Sequence, residues 1–278
     1  MNDTGLPVLT RTEQLTSALA RSTAAARALR STPDAVRAGY LDAVADALDA
    51  EKASLVAIAR TETHLDEARL TGEVARTTGQ LRLLADVVRE GSYLEAVLDA
   101  ADPGAVPPRP DLRRVLVPLG PVVNFAASNF PFAFSVAGGD TAAAWAAGCP
   151  VIVKAHSGHR ELSRRTADIV TAALAAACAP EGMFQLAEGR EVGVALVAHP
   201  AVKAGSFTGS VAGGRALFDI AAGRPDPIPF YGELGSVNPV VIAPGAARRR
   251  IAELATGLAG SFTLGAGQFC TKPGIVFV

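Results

Sequence analysis

From residue 8 to about residue 98 the apolar positions recur at helical spacing. In TPDAVRAGYLDAVADALDAEKASLVAIARTET, Leu41, Val44, Ala45 and Leu48 are followed by Leu55, Ile58 and Ala59. Such a stripe gives a helix one apolar face, and two or three long amphipathic helices are predicted here. Thr32 followed by Pro33 predicts a helix start, a capping hydroxyl and then a proline at the first helical position. The run ADPGAVPPRPD, residues 101–111, ends the helical block, because its prolines and glycine support neither a helix nor a central strand.

Beyond that run the period changes, and short β-branched runs alternate with alanine-rich helical patterns. RRVLVPLGPVVNFAA supplies strand material, Phe134 to Ala147 reads as a helix, Val151 to Val153 as a buried strand and Leu162 to Ala177 as a helix. Met183 to Leu186 and Ala201 to Phe207 are strand candidates on either side of a helical Val192 to Val197, and Ala212 to Ala221 is a further helix. This order predicts a mostly parallel, three-layer α/β sheet. Near residue 235 a second transition occurs, with SVNPVVIAP as a strand and ARRRIAELATGLAGSF as a helix.

Composition narrows the function classes. Hydrophobic residues make up 49% and charged residues 19%, which suits a folded enzyme-like globule and excludes a disordered chain. Net charge is -1 with Lys and Arg spread along the chain, so no nucleic-acid partner is expected. The dense cluster Arg248, Arg249 and Arg250 reads as a solvated helix face. No run of 18 apolar residues occurs, and MNDTGLPVLTRTEQL lacks an apolar signal core, so no membrane association and a cytoplasmic location are expected. Three cysteines, Cys149, Cys178 and Cys270, cannot all pair, so at least one thiol is free. His156 and His159 have no cysteine or carboxylate at ligand spacing, and no metal site is expected.

Five stretches carry candidate chemistry. In KAGSFTGSVAGGRALF a strand runs through Gly209 and Ser210 into a helix with Gly213 and Gly214 in its first turn, where free N–H groups favour phosphate; glycine at such a turn is as often structural. VIVKAHSGH places Lys154 just beyond a buried strand, suited to a phosphate or ribose, or equally a solvated strand end. FYGELGSVNP sets Glu233 among apolar residues, the setting of a general base, although a surface glutamate is the ordinary alternative. In LGAGQFCTKPG, Gly265, Gly267 and Gly274 bracket Cys270, so the backbone can bend sharply around a nucleophilic thiol, or around a small buried one. Asn129, in AASNFPFAFSVAGG, sits where an extended segment turns toward a helix; its amide suits a helix cap or a developing oxyanion.

Taken in order, these stretches resemble the aldehyde dehydrogenase superfamily over nearly the whole chain. ASNFPFAF, VIVKAHSG, FTGSVAGG, ELGSVNP and GQFC match its motifs, and NFPFAFSVAGGDTAAAWAAGCPVIVKAHSGH with PIPFYGELGSVNPV is most similar to the 2-oxoglutarate semialdehyde (2,5-dioxovalerate) dehydrogenases; Ser236, where most relatives carry a second glycine, also suits that subgroup. The resemblance implies an α/β fold of aldehyde dehydrogenase type. Residues 1–235 would form a helical amino-terminal region and a three-layer Rossmann-type cofactor domain, and residues 236–278 the first part of an α/β catalytic domain whose remainder is absent. It implies Cys270 as nucleophile, Glu233 as general base and Asn129 as oxyanion donor. Lys154, His156, Ser157, Gly209, Ser210 and Gly214 would hold the nucleotide. Many NAD-preferring relatives carry glutamate where this chain has Ser157; removing that carboxylate favours NADP, with NAD as the alternative. The expected partner is a small-molecule aldehyde, and the full-length form is expected to be a homo-oligomer. The competing expectation is a non-catalytic nucleotide-binding fragment or assembly partner.

Overall fold

A computed structural model describes residues 8–278; the first seven residues of the amino-terminal stretch read above lie outside the described residues. The amino-terminal block contains four helices: α1 (Leu15–Ser31), α2 (Asp34–Ala50), α3 (Lys52–Thr63) and α4 (Glu67–Glu90). Their apolar stripes are buried as the spacing predicts, Leu41, Val44, Ala45, Leu55 and Ala59 being inaccessible to solvent. One detail differs. Pro33 is extended and occupies the cap position itself, so α2 begins at Asp34. The Thr32 hydroxyl instead donates to the Ala28 carbonyl at 3.0 Å and closes α1.

The proline-rich run is the connection of an exposed antiparallel ribbon, β1 (Val97–Asp99) with β2 (Leu112–Arg114). There follow β3 (Val122–Phe125), α5 (Gly139–Ala146), β4 (Val151–Lys154), α6 (Arg160–Ala176), β5 (Phe184–Ala187), α7 (Arg190–Ala198), β6 (Ala204–Gly209), α8 (Val211–Ala222) and β7 (Phe230–Leu234). The five strands β3 to β7 pair in parallel in the order β5-β4-β3-β6-β7. β8 (Pro239–Val241), α9 (Pro244–Thr263) and β9 (Ile275–Phe277) complete the chain, β8 and β9 forming a separate two-stranded parallel sheet. Arg248, Arg249 and Arg250 are exposed on α9, and Arg250 pairs with Glu253.

Strand alternation explains the layers. Val122, Val151 and Val153 point into a core shared with α2 to α6, whereas Val123, Phe125 and Ile152 point into a second core with α1, α7 and α8. The helix expected from Phe134 begins only at Gly139. Residues 131–138 form tight turns instead, and the Phe132 and Ala133 amides donate to the Glu73 carboxylate at 2.8 and 3.0 Å. Gly138 is required there: a Cβ would lie 2.4 Å from the Ala133 carbonyl oxygen. No helix among the described residues is long and apolar enough to cross a membrane, and no metal-ligating cluster occurs among them.

Candidate functional site

The strand order places a reversal beside β3: the chain runs outward through β4 and β5, then returns to lay β6 on the other side of β3. Crevices at such a switch, beyond the carboxyl ends of parallel strands, are where open α/β sheets take ligands. All the nucleotide candidates lie on that edge. Lys154 ends β4, His156 and Ser157 follow it, and Gly209 and Ser210 end β6 and open α8. Asn129 follows β3 and Glu233 is the penultimate residue of β7.

The donor set there suits an anion. Lys154 is half-buried and its side chain makes no hydrogen bond or ion pair among the described residues; burial pulls its pKa below the usual lysine range, with Arg160 adding to the effect and Glu188 opposing it. Glu188 is engaged by Arg164, at 2.7 and 2.8 Å. His156 is held down to about 4, first by burial and then by His159 and Lys154. Its Nδ1 accepts the Gly158 amide at 3.0 Å, so the neutral ring carries its proton on Nε2, which makes no hydrogen bond among the described residues. Ser157 is exposed beside it.

This histidine makes stability depend on pH in a defined direction. Below about pH 6.5 the unfolded chain takes up a proton at this position, whereas the folded chain does so only at about 4. Stability therefore falls as pH drops through that window. His156→Gln is expected to flatten the fall, measured as urea midpoints across the window. Parallel pH profiles for the two proteins would contradict it.

The glycines of the β6–α8 turn act mainly on packing. At Gly214 a Cβ would lie 2.0 Å from Leu234 Cδ2, so the missing side chain lets α8 approach β7. At Gly209 it would meet the Phe207 ring at 2.7 Å. Ser210 caps α8 by accepting the Gly213 amide at 3.2 Å. Any help these glycines give to a ligand acts through where they set the helix start.

Glu233 is exposed, so the apolar surround read from FYGEL is not found around its carboxylate. The pleat accounts for this: Phe230 and Leu234 share one face of β7, and Glu233 shares the opposite face with exposed Tyr231. On that side Glu233 adds to the elevation of the Asp140 pKa, which burial mainly causes and Ser206 opposes.

Cys270 is exposed, in a turn between α9 and β9. Its carbonyl accepts from the Ser236 hydroxyl and from Asn238 Nδ2, the latter at 2.6 Å, so the residues just after β7 hold the thiol-bearing turn. Asn129 does not cap a helix. Its Nδ2 donates to the Gln268 carbonyl at 2.8 Å, two residues before Cys270. The second N–H of that amide makes no hydrogen bond among the described residues. Cys149 is buried; Cys178 is exposed.

Sequence reasoning missed three contributors: Asn238, the buried Thr141–Asn124–Ser206 chain (2.9 and 3.1 Å), and α4, which supplies Arg69 and Glu73. For Glu73 a signal existed. It lies between Leu70 and Val74 on the buried face of an amphipathic helix, where a carboxylate requires a partner.

Compared with known proteins, residues 7–278 match the aldehyde dehydrogenase family. The chain belongs to this family. Alpha-ketoglutaric semialdehyde dehydrogenase 2 of Azospirillum brasilense is 55% identical over 252 residues, covering 90% of this chain and 48% of the relative. Alpha-ketoglutaric semialdehyde dehydrogenase of Acinetobacter baylyi is 47% identical over 241 residues, covering 86% and 46%. The chain thus spans about half the length of these aldehyde dehydrogenase relatives. Among solved structures, NADP-dependent glyceraldehyde-3-phosphate dehydrogenase from Bacillus halodurans, complexed with NADP, superposes with a TM-score of 0.80 at 26% identity, over 98% of this chain and 54% of that one.

Proposed function

We propose that this aldehyde dehydrogenase chain carries the nucleotide site and the nucleophile of an enzyme that oxidises 2,5-dioxopentanoate to its carboxylic acid with NADP. The single observation behind the reading is the bond from the Asn129 amide to the Gln268 carbonyl, which ties an oxyanion donor to the segment bearing an exposed thiol. The substrate class follows the two semialdehyde dehydrogenases at 55% and 47% identity. Residues 1–235 would serve as the helical region and nucleotide domain, and residues 236–278 as the opening of the catalytic domain. The break fits the sheets: β7 closes the five-stranded sheet at Leu234, and β8 starts another at Pro239.

The residues at the strand edge fit a phosphorylated nucleotide. The Lys154 side chain makes no hydrogen bond or ion pair among the described residues, His156 presents a neutral N–H, and Ser157 adds a hydroxyl without a negative charge. NADP bound there would supply the hydride acceptor that converts the thiohemiacetal to a thioester. The protein performs the other steps. Cys270, as thiolate, attacks the aldehyde carbon. The free N–H of Asn129 and the Cys270 amide receive the resulting oxyanion. Glu233, exposed at the end of β7, takes a proton from the water that hydrolyses the thioester.

The test is reduction of NADP on adding 2,5-dioxopentanoate, followed by the absorbance of the reduced nicotinamide. Ser157→Glu is expected to lower kcat/KM for NADP about tenfold relative to NAD, since a carboxylate would face the 2′-phosphate. An unchanged NADP-to-NAD ratio in that variant would reject the assigned phosphate contact. A second reading, a nucleotide-binding chain that does not itself turn over, is favoured by the exposure of Cys270, β8 and β9. Saturable NADP binding without reduction by any aldehyde would select it.

A further inference from the structure

Arg69 lies in the first turn of α4, its amide donating to the capping carboxylate of Asp66 at 2.8 Å. A cation in a helix's first turn opposes the helix dipole, so its position calls for interactions elsewhere. They are found on both candidate catalytic segments. Nη2 donates to the carbonyl of Asn129 at 2.5 Å, and Nη1 to the carbonyl of Gly265 at 3.3 Å. The guanidinium lies over the rings of Phe130 and Phe269, at 5.0 and 4.7 Å from their centroids. Those rings, each adjacent in sequence to a proposed catalytic residue, meet edge to face at 5.1 Å. One turn along α4, Glu73 holds the Phe132 and Ala133 amides, which fixes the far end of the Asn129 segment to the same helix.

We propose that Arg69 is a positioning residue that sets the separation of the Asn129 amide from the Cys270 thiol. The inference rests on the assignment of those two residues in the proposed function. The physical basis is rigidity: a planar guanidinium presents two donors in a fixed fork and stacks on aromatic faces, so it holds two carbonyls and two rings in one geometry. Lysine offers a single flexible ammonium and cannot reproduce that fork. Gly265 belongs to the same device. It has φ +57°, and a Cβ there would lie 2.3 Å from Phe269 Cε2 and 2.6 Å from Arg69 Nη1.

The test combines hydrogen exchange with kinetics on the full chain. In Arg69→Met, amide exchange is expected to rise together in residues 128–134 and 264–270, with the five-stranded sheet unchanged. The kcat for aldehyde oxidation is expected to fall about 100-fold, the cost of misplacing reacting groups by about 1 Å, while KM for NADP stays within about twofold. Arg69→Lys should behave like Arg69→Met, and guanidinium ion added at millimolar concentration should restore part of the rate to Arg69→Met. Exchange confined to α4, or full activity in Arg69→Lys, overturns the proposal. If Arg69→Met does not fold, Gly265→Ala must raise exchange in 128–134 from across the contact; protection unchanged there also overturns it. Exchange reads the clamp even in a chain that reduces no NADP, so failure of the proposed activity and failure of the clamp remain distinct results.

Discussion

Cys270→Ala is expected to lower aldehyde-dependent reduction of NADP by at least about 10⁴-fold, because loss of a covalent nucleophile leaves only binding and oxyanion stabilisation. The alanine removes the sulfur and little else. Cys270 is exposed, and its part in holding the turn is its carbonyl, which accepts from Ser236 and Asn238 whatever the side chain. Fold and nucleotide affinity should therefore survive, so the effect belongs to kcat. Cys178 supplies the control: it too is exposed but follows α6, away from the strand-edge crevice, and Cys178→Ser should turn over normally. Turnover persisting in Cys270→Ala, or lost in Cys178→Ser, would move the nucleophile elsewhere.

Trp145→Ala is expected to cost about 3–5 kcal/mol of folding stability. Trp145 is fully buried on α5, its Nε1 donates to the Met183 carbonyl at 3.3 Å, and its ring meets Phe184 edge-on at 5.9 Å. It thus joins the helix after β3 to β5, two strands away across the sheet. Truncation removes that apolar contact, leaves a cavity and takes away one of two donors to the Met183 carbonyl, which keeps the Val151 amide at 2.8 Å. Against a typical total of about 5–15 kcal/mol, the loss is about a fifth of the stability or more. Because this is the sole tryptophan, far-ultraviolet circular dichroism in urea is the suitable measurement. Trp145→Phe, which keeps an aromatic edge, should lose less; equal losses for Phe and Ala would assign the effect to the hydrogen bond alone.

Periodicity carried much of the architecture. The strand at Val151 and the helices near Leu162, Val192 and Ala212 were legible because each is a short segment whose burial follows its own spacing, and a parallel strand buried on both faces reads as a plain apolar run. The segment after Asn129 was not legible in that way. FPFAFSVAGG has helical composition, yet its Phe132 and Ala133 amides go to Glu73, 59 and 60 residues earlier in the chain, a partner that local spacing does not reveal. The setting of Glu233 was misread for a related reason. Its apolar neighbours in sequence occupy the opposite face of β7, so adjacency in the chain became exposure in space.

The order of strands and helices, the residue types at the carboxyl ends of the parallel strands and the cysteine bracketed by glycines were determined by the sequence alone, since each depends on neighbours a few positions away. Tertiary structure alone decided that Asn129 meets the Gln268 carbonyl, that Gly214 makes room for Leu234, and that Arg69 grips both candidate catalytic segments. The physical reason is range. Local periodicity sets which face of an element is apolar, whereas contacts between segments separated by up to 196 residues exist only after the core has packed and brought α4 beside the Cys270 turn.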